Sequence, residues 1–477
     1  MITICKPSSF PPEFAGKTLR LASKPSLYTL LLLSTVFFLY TLLPNKTSPL
    51  SRPLITAVNP PPPPPPPPPT NLSHIIFAIG GSANTWSRRR EYCDLWWNPD
   101  KMRGHVWLDA APTQWPDTCP PWRLSTAAEK PAARIARIAA DEYRMGTDGV
   151  RWFVMGDDDT LFFPENVAAV LGKYDHEQMY YVGAASESVE QNEMHSYGMG
   201  FGGGGFAVSY PAAAALAGAI DGCLRRYESL YGSDQRVHAC FVEIGVPLTR
   251  EPGFHQIDLR GDIYGMLAAH PIAPLLSLHH LSSVPPISPR FRSRLHALRS
   301  LINATRADES RALQQSFCYL QEPQIKWSVS VSWGYTAQIY PWLLSPREME
   351  IPIRTFGSWK MLERRRFTFN TRELAPASRP CERPVRYFLE KVEEGREGTV
   401  TEYGRYGWGD EGRERCERLG FGVKGMVDKV RVTARRMDPM AWRKAPRRQC
   451  CEAKREKHKV IEVHIRDCRP YEITSPI

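Results

Sequence analysis

The chain has 477 residues, of which 42% are apolar, so it can bury one large core or two moderate ones. Its 43 prolines and mean hydropathy of −0.37 indicate long irregular stretches and exclude a polytopic membrane protein. The apolar content excludes a chain that is disordered throughout, and the formal net charge of +11 favours acidic partners.

The amino-terminal region has the pattern of a membrane anchor. Four basic residues and one acid occur in residues 1–26, and residues 27–43 carry no charge. A helix over this run would span about 25 Å, which suits a thin early-secretory bilayer. The sequence therefore predicts a cytosolic tail over 1–26, a transmembrane signal anchor over 27–43 and a single-pass type II topology. A cleaved signal peptide is the alternative, although no small-residue cleavage site precedes Pro44.

A proline-rich stem follows over residues 44–72. Ten consecutive prolines, Pro60 to Pro69, predict a semi-rigid polyproline rod of about 30 Å. Anchor and stem together predict a Golgi membrane protein with its larger part in the lumen. Glycosylation sequons at Asn45, Asn71 and Asn303 agree with that topology.

Ten of the eleven cysteines follow the predicted anchor, where an oxidising lumen would allow them to pair. The spacing does not reveal which cysteines pair. Because no CxxC pair with matching spacing occurs, disulfides and some free thiols are favoured over a zinc site.

Short β-rich runs alternate with helical stretches between about residues 73 and 270, which predicts an α/β layer around a largely parallel sheet. The predicted strands are His74–Ile79, His105–Asp109, Val150–Met155, Met179–Val182 and Gly205–Ser209. The predicted helices are Thr126–Arg144, one that opens at Pro164, and one from about Pro211 to Tyr227. In such sheets ligands bind at the carboxyl ends of the strands.

Three consecutive aspartates, Asp157, Asp158 and Asp159, follow the apolar run Val150–Met155 after a single glycine. Like charges repel at this spacing, so the triplet predicts a divalent cation that carries a phosphorylated ligand. A solvated turn is the alternative use. The strongly apolar strand before the triplet favours the cation, and hence chemistry on a nucleotide-activated substrate.

The stretch from Trp152 to Thr160 resembles the aspartate motif of Fringe and related β-1,3-glycosyltransferases. Three further blocks occur in that family's order, namely Arg89-Arg90 before Trp97, the glycine run Gly202–Gly205, and Gly253-Phe254-His255. Three longer runs resemble the plant Fringe-related family, whose domain was long catalogued as of unknown function: Trp96–Asp109, Glu251–Gln256 and Ala445–Cys451.

This resemblance implies a GT-A nucleotide-diphospho-sugar transferase fold over residues 73–300, with a mostly parallel central sheet flanked by helices. It also implies an inverting, metal-dependent hexosyltransferase, similar to β-1,3-galactosyl- or N-acetylglucosaminyltransferases, that moves a sugar from a UDP-sugar to a glycan or glycoprotein acceptor. The implied ligands of Mn²⁺ or Mg²⁺ are Asp159, His255 and Asp157. The implied donor-binding residues are Arg89, Arg90, Asp157, Asp158, Gly203 and Gly204.

Three of these blocks have structural alternatives. His255 could be a surface or core histidine rather than a metal ligand. Arg88–Arg90 could be a solvated helix face rather than a phosphate clamp. The glycines at 202–205 could form a flexible loop rather than a close approach to a sugar.

An inverting reaction also needs a carboxylate that takes the proton of the acceptor hydroxyl. The candidate is Asp234, at the start of a predicted helix, for which a capping role is the alternative. Gln235 stands where the family often has a second acid. The alternative function is therefore a catalytically weak or inactive protein that binds carbohydrate or nucleotide sugar. A phosphohydrolase with an aspartyl nucleophile fits less well, because Thr160 comes one residue too early for that motif.

Residues 301–477 are predicted to form a basic, strand-rich carboxyl-terminal domain, with strands such as Ile325–Trp333 and Val460–Ile465. Within it, residues 381–470 hold 23 Lys and Arg against 16 Asp and Glu. The lumenal topology argues against nucleic acid, so acidic glycans, lipid head groups or plain solvation are the candidate reasons for the charge. Four tryptophans could stack on sugars or lie in the core: Trp327, Trp333, Trp342 and Trp359.

Overall fold

The structure is a computed structural model, and it describes residues 24–42, 68–125, 130–323, 325–359, 366–396, 398–406, 416 and 427–476. Residues 68–477 form one compact unit, separate from residues 1–67. The predicted tail up to residue 23, the predicted stem up to residue 67 and the sequon at Asn45 lie outside the described residues.

Helix α1 (Lys24–Leu42) covers most of the predicted anchor. Within the described ranges, the structure contains no helix with both the length and the apolar character needed to cross a membrane. The anchor predicted over 27–43 is therefore not supported. Five serine and threonine residues lie among the apolar residues of this helix.

A central sheet of seven described strands organises the first half of the compact unit, in the order β3-β2-β1-β4-β7-β6-β8. Its strands are β1 (Ile75–Gly80), β2 (Arg103–Leu108), β3 (Trp122–Leu124), β4 (Trp152–Asp157), β6 (Tyr181–Gly183), β7 (Phe206–Ser209) and β8 (Leu248–Arg250). Strands β1 to β4 are parallel, as predicted, but β7 is antiparallel to both β4 and β6. The residues that lead into β7 therefore lie at the same edge as the residues that leave β4.

Helices cover both faces of this sheet, because its central strands are apolar on both sides. Ile75, Phe77 and Ile79 of β1 belong to one core cluster, and Ile76 and Ala78 belong to the other. The first face packs against α2 (Ala83–Trp96) and α5 (Pro164–Leu171), and the second against α3 (Pro131–Ala136), α4 (Ile138–Arg144), α7 (Tyr210–Arg226) and α8 (Ser233–Ile244). The architecture is the expected mixed α/β layer and fits a GT-A fold.

Short strands extend the structure beyond the carboxyl edge of the central sheet. Strand β11 (Ser277–Leu278) lies between β5 (Leu161–Phe162) and β9 (Phe254–His255), antiparallel to β5 and parallel to β9. Strand β10 (Leu259–Gly261) pairs with β16 (Phe356–Ser358), and β15 (Ile353–Arg354) pairs with β17 (Arg372–Glu373). Three short helices also belong to this region: α6 (Val189–Met194), α9 (Tyr264–Ala268) and α11 (Pro346–Met349).

A second sheet of eight described strands forms the carboxyl-terminal half, in the order β12-β13-β14-β18-β19-β20-β22-β21. Its strands are β12 (Gln315–Glu322), β13 (Ile325–Ser332), β14 (Thr336–Tyr340), β18 (Val385–Glu394), β19 (Gly398–Tyr406), β20 (Lys429–Arg435), β21 (Cys450–Glu456) and β22 (Val460–Arg466). The edge strands β12 and β21 contact each other and are joined by the Cys318–Cys451 disulfide.

Helix α10 (Arg294–Ala307) connects the two halves and spans the boundary predicted at residue 300. Its buried face, which includes Leu298 and Leu301, belongs to the same core cluster as Val154 and Phe388. The two sheets are thus joined through a shared core rather than through a linker.

Disulfides confirm the prediction of cysteine pairing. Within the described chain the bonded pairs are Cys223–Cys240, Cys318–Cys451, Cys381–Cys416 and Cys450–Cys468. Cys93 and Cys119 are buried and free.

Candidate functional site

The aspartate triplet lies at the carboxyl end of β4. Asp157 ends the strand, and Asp158 and Asp159 occupy the turn that follows. Asp158 and Asp159 are only 3% and 2% exposed, whereas 36% of the Asp157 side chain is exposed. Three carboxylates thus lie at the sheet edge where ligands bind in α/β folds.

Helix α2 supplies two contacts to the buried carboxylate of Asp158. Arg89 Nη1 donates to Asp158 Oδ1 at 2.6 Å, and Thr85 Oγ1 donates to Asp158 Oδ2 at 3.2 Å. Thr85 and Arg89 are four residues apart, so they lie on the same face of the helix. Arg89 also pairs with Asp159, at 3.5 Å.

Arg90, the other arginine predicted to bind the donor, lies about 100° further around α2. Among the described residues, no contact joins Arg90 to the aspartates. Its charge instead acts on the Cys119 thiol, where it opposes the rise in pKa that burial causes. The structure therefore brings Arg89, but not Arg90, to the triplet.

His279 completes a cluster with two of the carboxylates. Its Nε2 atom lies 3.1 Å from Asp159 Oδ1 and 3.7 Å from Asp157 Oδ2. The antiparallel pairing of Leu278 with Leu161 explains this approach, because the residue after Leu278 then lies beside the turn that precedes Leu161. Asp157, Asp159 and His279 offer ligand atoms that all lie within 4.8 Å of one another.

His255, the histidine predicted to bind metal, lies outside this cluster. In the β5-β11-β9 sheet it is on the far side of β11, two strand spacings or about 10 Å from β5. Its Nδ1 atom contacts Glu187 Oε1 at 3.0 Å, and its Nε2 atom contacts His270 Nε2 at 2.9 Å. His255 therefore belongs to a buried polar group outside the carboxylate cluster.

The carboxylates in the cluster have unequal proton affinities. Burial raises the pKa of Asp157 to about 6; the charge of His279 opposes the rise, and the carboxylates of Asp159, Asp158 and Asp234 add to it. Burial also disfavours the charged form of Asp159, but the hydrogen bond and charge of His279 outweigh it and lower the pKa of Asp159. Burial disfavours the charged form of His279, but the hydrogen bond and charge of Asp159 outweigh this effect and raise the pKa of the imidazole. The cluster thus concentrates negative charge that a cation would neutralise.

The cluster fits a divalent metal in ligand type and in spacing. Ligands of a six-coordinate ion about 2.1 Å from the metal lie about 3 Å apart, close to the 3.1 and 3.7 Å separations here. Two carboxylates suit Mg²⁺ or Mn²⁺, and the imidazole favours Mn²⁺. Such an ion would neutralise the charge of a diphosphate leaving group.

The glycine run packs directly against this cluster. A Cβ atom on Gly203 would lie 2.1 Å from the His279 ring, and one on Gly204 would lie 2.9 Å from the backbone nitrogen of Gln256. Thr160 Oγ1 donates to the carbonyl of Gly203 at 2.7 Å and accepts from the backbone N–H of Asp157 at 2.9 Å. Glycine is therefore required where the loop approaches the imidazole.

Asp234 lies in the first turn of α8 and faces the same loop. Its Oδ2 atom accepts from the N–H of Gly202 at 3.2 Å, and its Oδ1 atom accepts from the N–H of Gln235 at 2.9 Å. Burial raises the pKa of Asp234, and these two N–H groups oppose the rise. The negative charge of Asp234 also helps to raise the pKa of Asp157. The structure therefore brings the predicted base close to the predicted metal site.

Comparisons with known families match two stretches of the chain. A Fringe-like family model matches residues 70–261, and a model described as "Protein of unknown function, DUF604" matches residues 191–451, which is more than half of the chain. The chain belongs to the Fringe-related DUF604 family. The resemblance to Fringe-related β-1,3-glycosyltransferases is thereby confirmed, whereas the plant branch stays a prediction.

A curated relative of this DUF604 protein is the "Beta-1,3-glucosyltransferase" of Mus musculus, which is 32% identical over 114 residues. The match covers 22% of this chain and about a fifth, 21%, of the mouse protein. A solved structure, a "glycosyltransferase involved in the glycosylation of the major capsid of PBCV-1", is 13% identical and covers 47% of this chain and 98% of that one. Its TM-score of 0.26 is too low to support a conclusion.

Sequence reasoning missed His279 and Thr85 in the DUF604 protein. The signal for His279 was a histidine directly after a short, mostly apolar run, Leu275-Leu276-Ser277-Leu278. Thr85 could have been found from its spacing of four residues to Arg89 on the same helix.

Proposed function

We propose that the protein is a metal-dependent glycosyltransferase that moves a hexose from a UDP-sugar to a hydroxyl group of a glycan or glycoprotein acceptor. The observation that carries this proposal is the cluster of Asp157, Asp159 and His279 at the carboxyl edge of the α/β sheet. Membership of the Fringe-related family supports the reaction class.

The candidate residues have two separate roles, one at the departing diphosphate and one at the attacking hydroxyl. Asp157, Asp159 and His279 would hold a divalent ion, which stabilises the diphosphate as it departs. Asp234 would accept the proton of the attacking hydroxyl, since its raised pKa makes it a better base than an ordinary aspartate. A direct displacement of this kind inverts the anomeric centre and is consistent with a β-1,3 linkage.

Glucose is the first donor sugar to test, because the mouse relative is named as a β-1,3-glucosyltransferase. The disulfides support a lumenal compartment of the secretory pathway, since such bonds persist where the environment is oxidising. Location in the Golgi lumen is part of the proposal.

A binding protein without turnover is the second candidate, and the contacts of Asp234 favour it. Both carboxylate oxygens accept backbone N–H groups, and Gln235 Oε1 accepts from the N–H of Gly232 at 3.0 Å. The Gln235 contact is half of a capping box, and the Asp234 contacts give this carboxylate a structural role at the helix start.

The deciding experiment measures UDP release and sugar transfer by the full chain with Mn²⁺ and UDP-glucose, UDP-galactose or UDP-N-acetylglucosamine. Wild type should release UDP with at least one donor in the presence of a glycan acceptor. Asp234→Asn should lower turnover by about 100-fold or more, the usual effect of losing a general base, while UDP affinity changes by less than about twofold.

Two other outcomes have distinct meanings. If wild type binds UDP-sugar but releases no UDP with any donor, the binding protein is supported and the transferase is excluded. If Asp234→Asn loses UDP binding as well as turnover, Asp234 is a structural cap rather than the base.

A further inference from the structure

A stack of side chains extends toward solvent from the cluster of Asp157, Asp159 and His279, the proposed metal site. The rings of His279 and His280 have centroids 4.0 Å apart, and the His280 ring stacks on Trp359 at 4.4 Å with planes 9° apart. The guanidinium carbon of Arg260 lies 5.5 Å from the centroid of the Trp359 ring. Trp359 is half-buried, so part of its indole is accessible beside the cluster.

The backbone fixes Trp359 in this place. It directly follows β16, where Ser358 pairs with Leu259 and Gly357 pairs with Arg260. Because Gly357 has open space around its Cα, the long side chain of Arg260 can lie over the neighbouring indole. Trp359 thus comes from the carboxyl-terminal part of the chain, beyond the stretch that matches the Fringe-like model.

His280 connects Trp359 to the cluster through an unusual backbone conformation. Its φ is +51°, in the left-handed region that non-glycine residues rarely adopt. Successive side chains of an extended strand point to opposite faces, and this turn instead brings the two histidine rings together. Asp258 lies beside the second ring: its Oδ1 atom is 3.2 Å from His280 Nδ1, without the geometry of a hydrogen bond, and its Oδ2 atom accepts from Ser186 at 2.6 Å.

The other three tryptophans singled out in the sequence have different surroundings. Trp327 and Trp333 are 3% and 0% exposed in the core of the second sheet, and Trp342 packs edge-on against Tyr340. Among the described residues, Trp359 Nε1 makes no hydrogen bond. Trp359 therefore offers a partly exposed indole edge and an N–H donor next to the proposed metal ligands.

We propose that Trp359, braced by His280 and Arg260, contacts the hexose ring of a substrate and determines which sugar is accepted. This inference rests on the proposed function, because a diphosphate held by the metal would place its hexose beside the cluster. His280 stacks on the indole and Arg260 lies over its ring, so the exposed edge of Trp359 contacts the C–H groups of the sugar, and its N–H donates to a sugar hydroxyl. The hexose belongs either to the donor or to the acceptor, and the two sources give different kinetics.

The test compares Trp359→Ala and Trp359→Phe with wild type, using the full chain and Mn²⁺. Binding of UDP and of UDP-glucose is measured by calorimetry, and KM is measured for the donor and for the acceptor. Trp342→Ala is the matched control, because it removes a half-buried tryptophan whose ring packs against Tyr340 rather than against His280. Thermal melting verifies that each variant is folded.

Trp359→Ala should leave UDP affinity within about twofold, because UDP lacks the hexose. A donor role predicts that UDP-glucose binding weakens by about tenfold, and an acceptor role predicts a similar rise in acceptor KM alone. Trp359→Phe should show a smaller loss, and Trp342→Ala should show none.

Two results would overturn the inference. The first is that Trp359→Ala leaves the binding constants and KM values unchanged. The second is an equal loss of UDP and UDP-glucose affinity, which would mean that the tryptophan only supports the proposed metal site. Failure of wild type to turn over any donor would count against the proposed function instead. In that case calorimetry compares the binding of UDP, UDP-glucose and the acceptor to wild type and Trp359→Ala, and unchanged binding of all three rejects the inference.

Discussion

The imidazole of His279 lies between two carboxylates that would otherwise repel each other at close range. It contacts Asp159 and Asp157, and the glycine at 203 leaves just enough space for its ring. Removing the imidazole would leave the buried carboxylate of Asp159 and the partly exposed carboxylate of Asp157 without this partner. At the scale of single residues, the site therefore depends on this side chain more than on His255.

We expect His279→Ala to weaken Mn²⁺ binding by about 100-fold or more, because it removes a ligand rather than a group that orients one. His255→Ala should change Mn²⁺ affinity by less than about threefold, since His255 contacts Glu187 and His270. Titration of Mn²⁺ followed by electron paramagnetic resonance measures both. An equal loss in the two variants would contradict the assignment of the ligand to His279.

Metal binding should also depend on pH. Below about pH 6 Asp157 holds a proton that a cation must displace, and the raised pKa of His279 adds a second competing proton. Mn²⁺ affinity should therefore rise between pH 5 and pH 7, as measured by the same titration at constant ionic strength. An affinity that stays constant across this range would show that neither proton competes with the metal.

The position of the triplet could be predicted from residues because a buried strand directly precedes it. The choice between the two histidines could not, since each directly follows one apolar residue, Phe254 or Leu278. The strand order β5-β11-β9 distinguishes them. It places His279 beside the turn after β4, and it places His255 further away by one strand.

Helix α8 carries Asp234 to the glycine loop, and its position depends on α7. The Cys223–Cys240 disulfide joins the two helices, whose apolar faces share Leu216, Val237 and Phe241 in one core cluster. Both cysteines are fully buried. At the scale of elements, this bond holds the helix that presents the proposed base.

We expect Cys223→Ser with Cys240→Ser to lower the free energy of unfolding by about 3 kcal/mol, the usual contribution of a bond that closes a loop of this length. Guanidinium denaturation of the non-reduced protein measures the change. Cys119→Ser is the control, since this buried thiol is free, and it should cost less than about 1 kcal/mol. Equal losses in both would show that burial, rather than the bond, stabilises the helices.

The positions of helices and strands could be predicted where the local sequence pattern determines them. The strands around β1, β2 and β4 and the helix that opens at Pro164 lie close to their expected places. The antiparallel direction of β7 was not predictable, because strand direction depends on the path of the whole chain. That direction is what brings the glycine run to Asp157 and His279.

The two halves of residues 68–477 are joined through buried polar contacts as well as through their shared core. Asn166 of α5 donates its backbone N–H to Glu309 Oε1 at 2.8 Å and its side-chain amide to the Glu309 carbonyl at 2.9 Å. Glu309 follows α10, the helix that connects the halves. At the scale of the molecule, this carboxyl group lies at the junction of the two sheets.

Burial raises the pKa of Glu309 to about 8, above the value of 4.5 expected in the unfolded chain. Between these values the folded protein holds a proton that the unfolded chain has released, so the free energy of unfolding should fall as pH rises from 5 to 8. Glu309→Gln should reduce this fall, as measured by guanidinium denaturation at several pH values. Exposed Glu177→Gln should leave it unchanged; a similar effect from both would place the titrating group elsewhere.

Composition and motif order predicted an α/β half followed by a strand-rich half, and both are present. The shared core was not predictable, because neither half contains a local signal for the other. The half-buried tryptophan beside the metal cluster illustrates this, since Trp359 reaches His280 only through the pairing of β16 with β10.

The contact between β12 and β21 bears on how the protein can be produced. Each of these edge strands carries backbone N–H and C=O groups that could pair with another molecule, and the Cys318–Cys451 bond keeps the two edges together. In a reducing cytosol that bond would not form, and the strands would be free to associate between chains. Recombinant production should therefore succeed in an oxidising secretory host and yield aggregates in a reducing one.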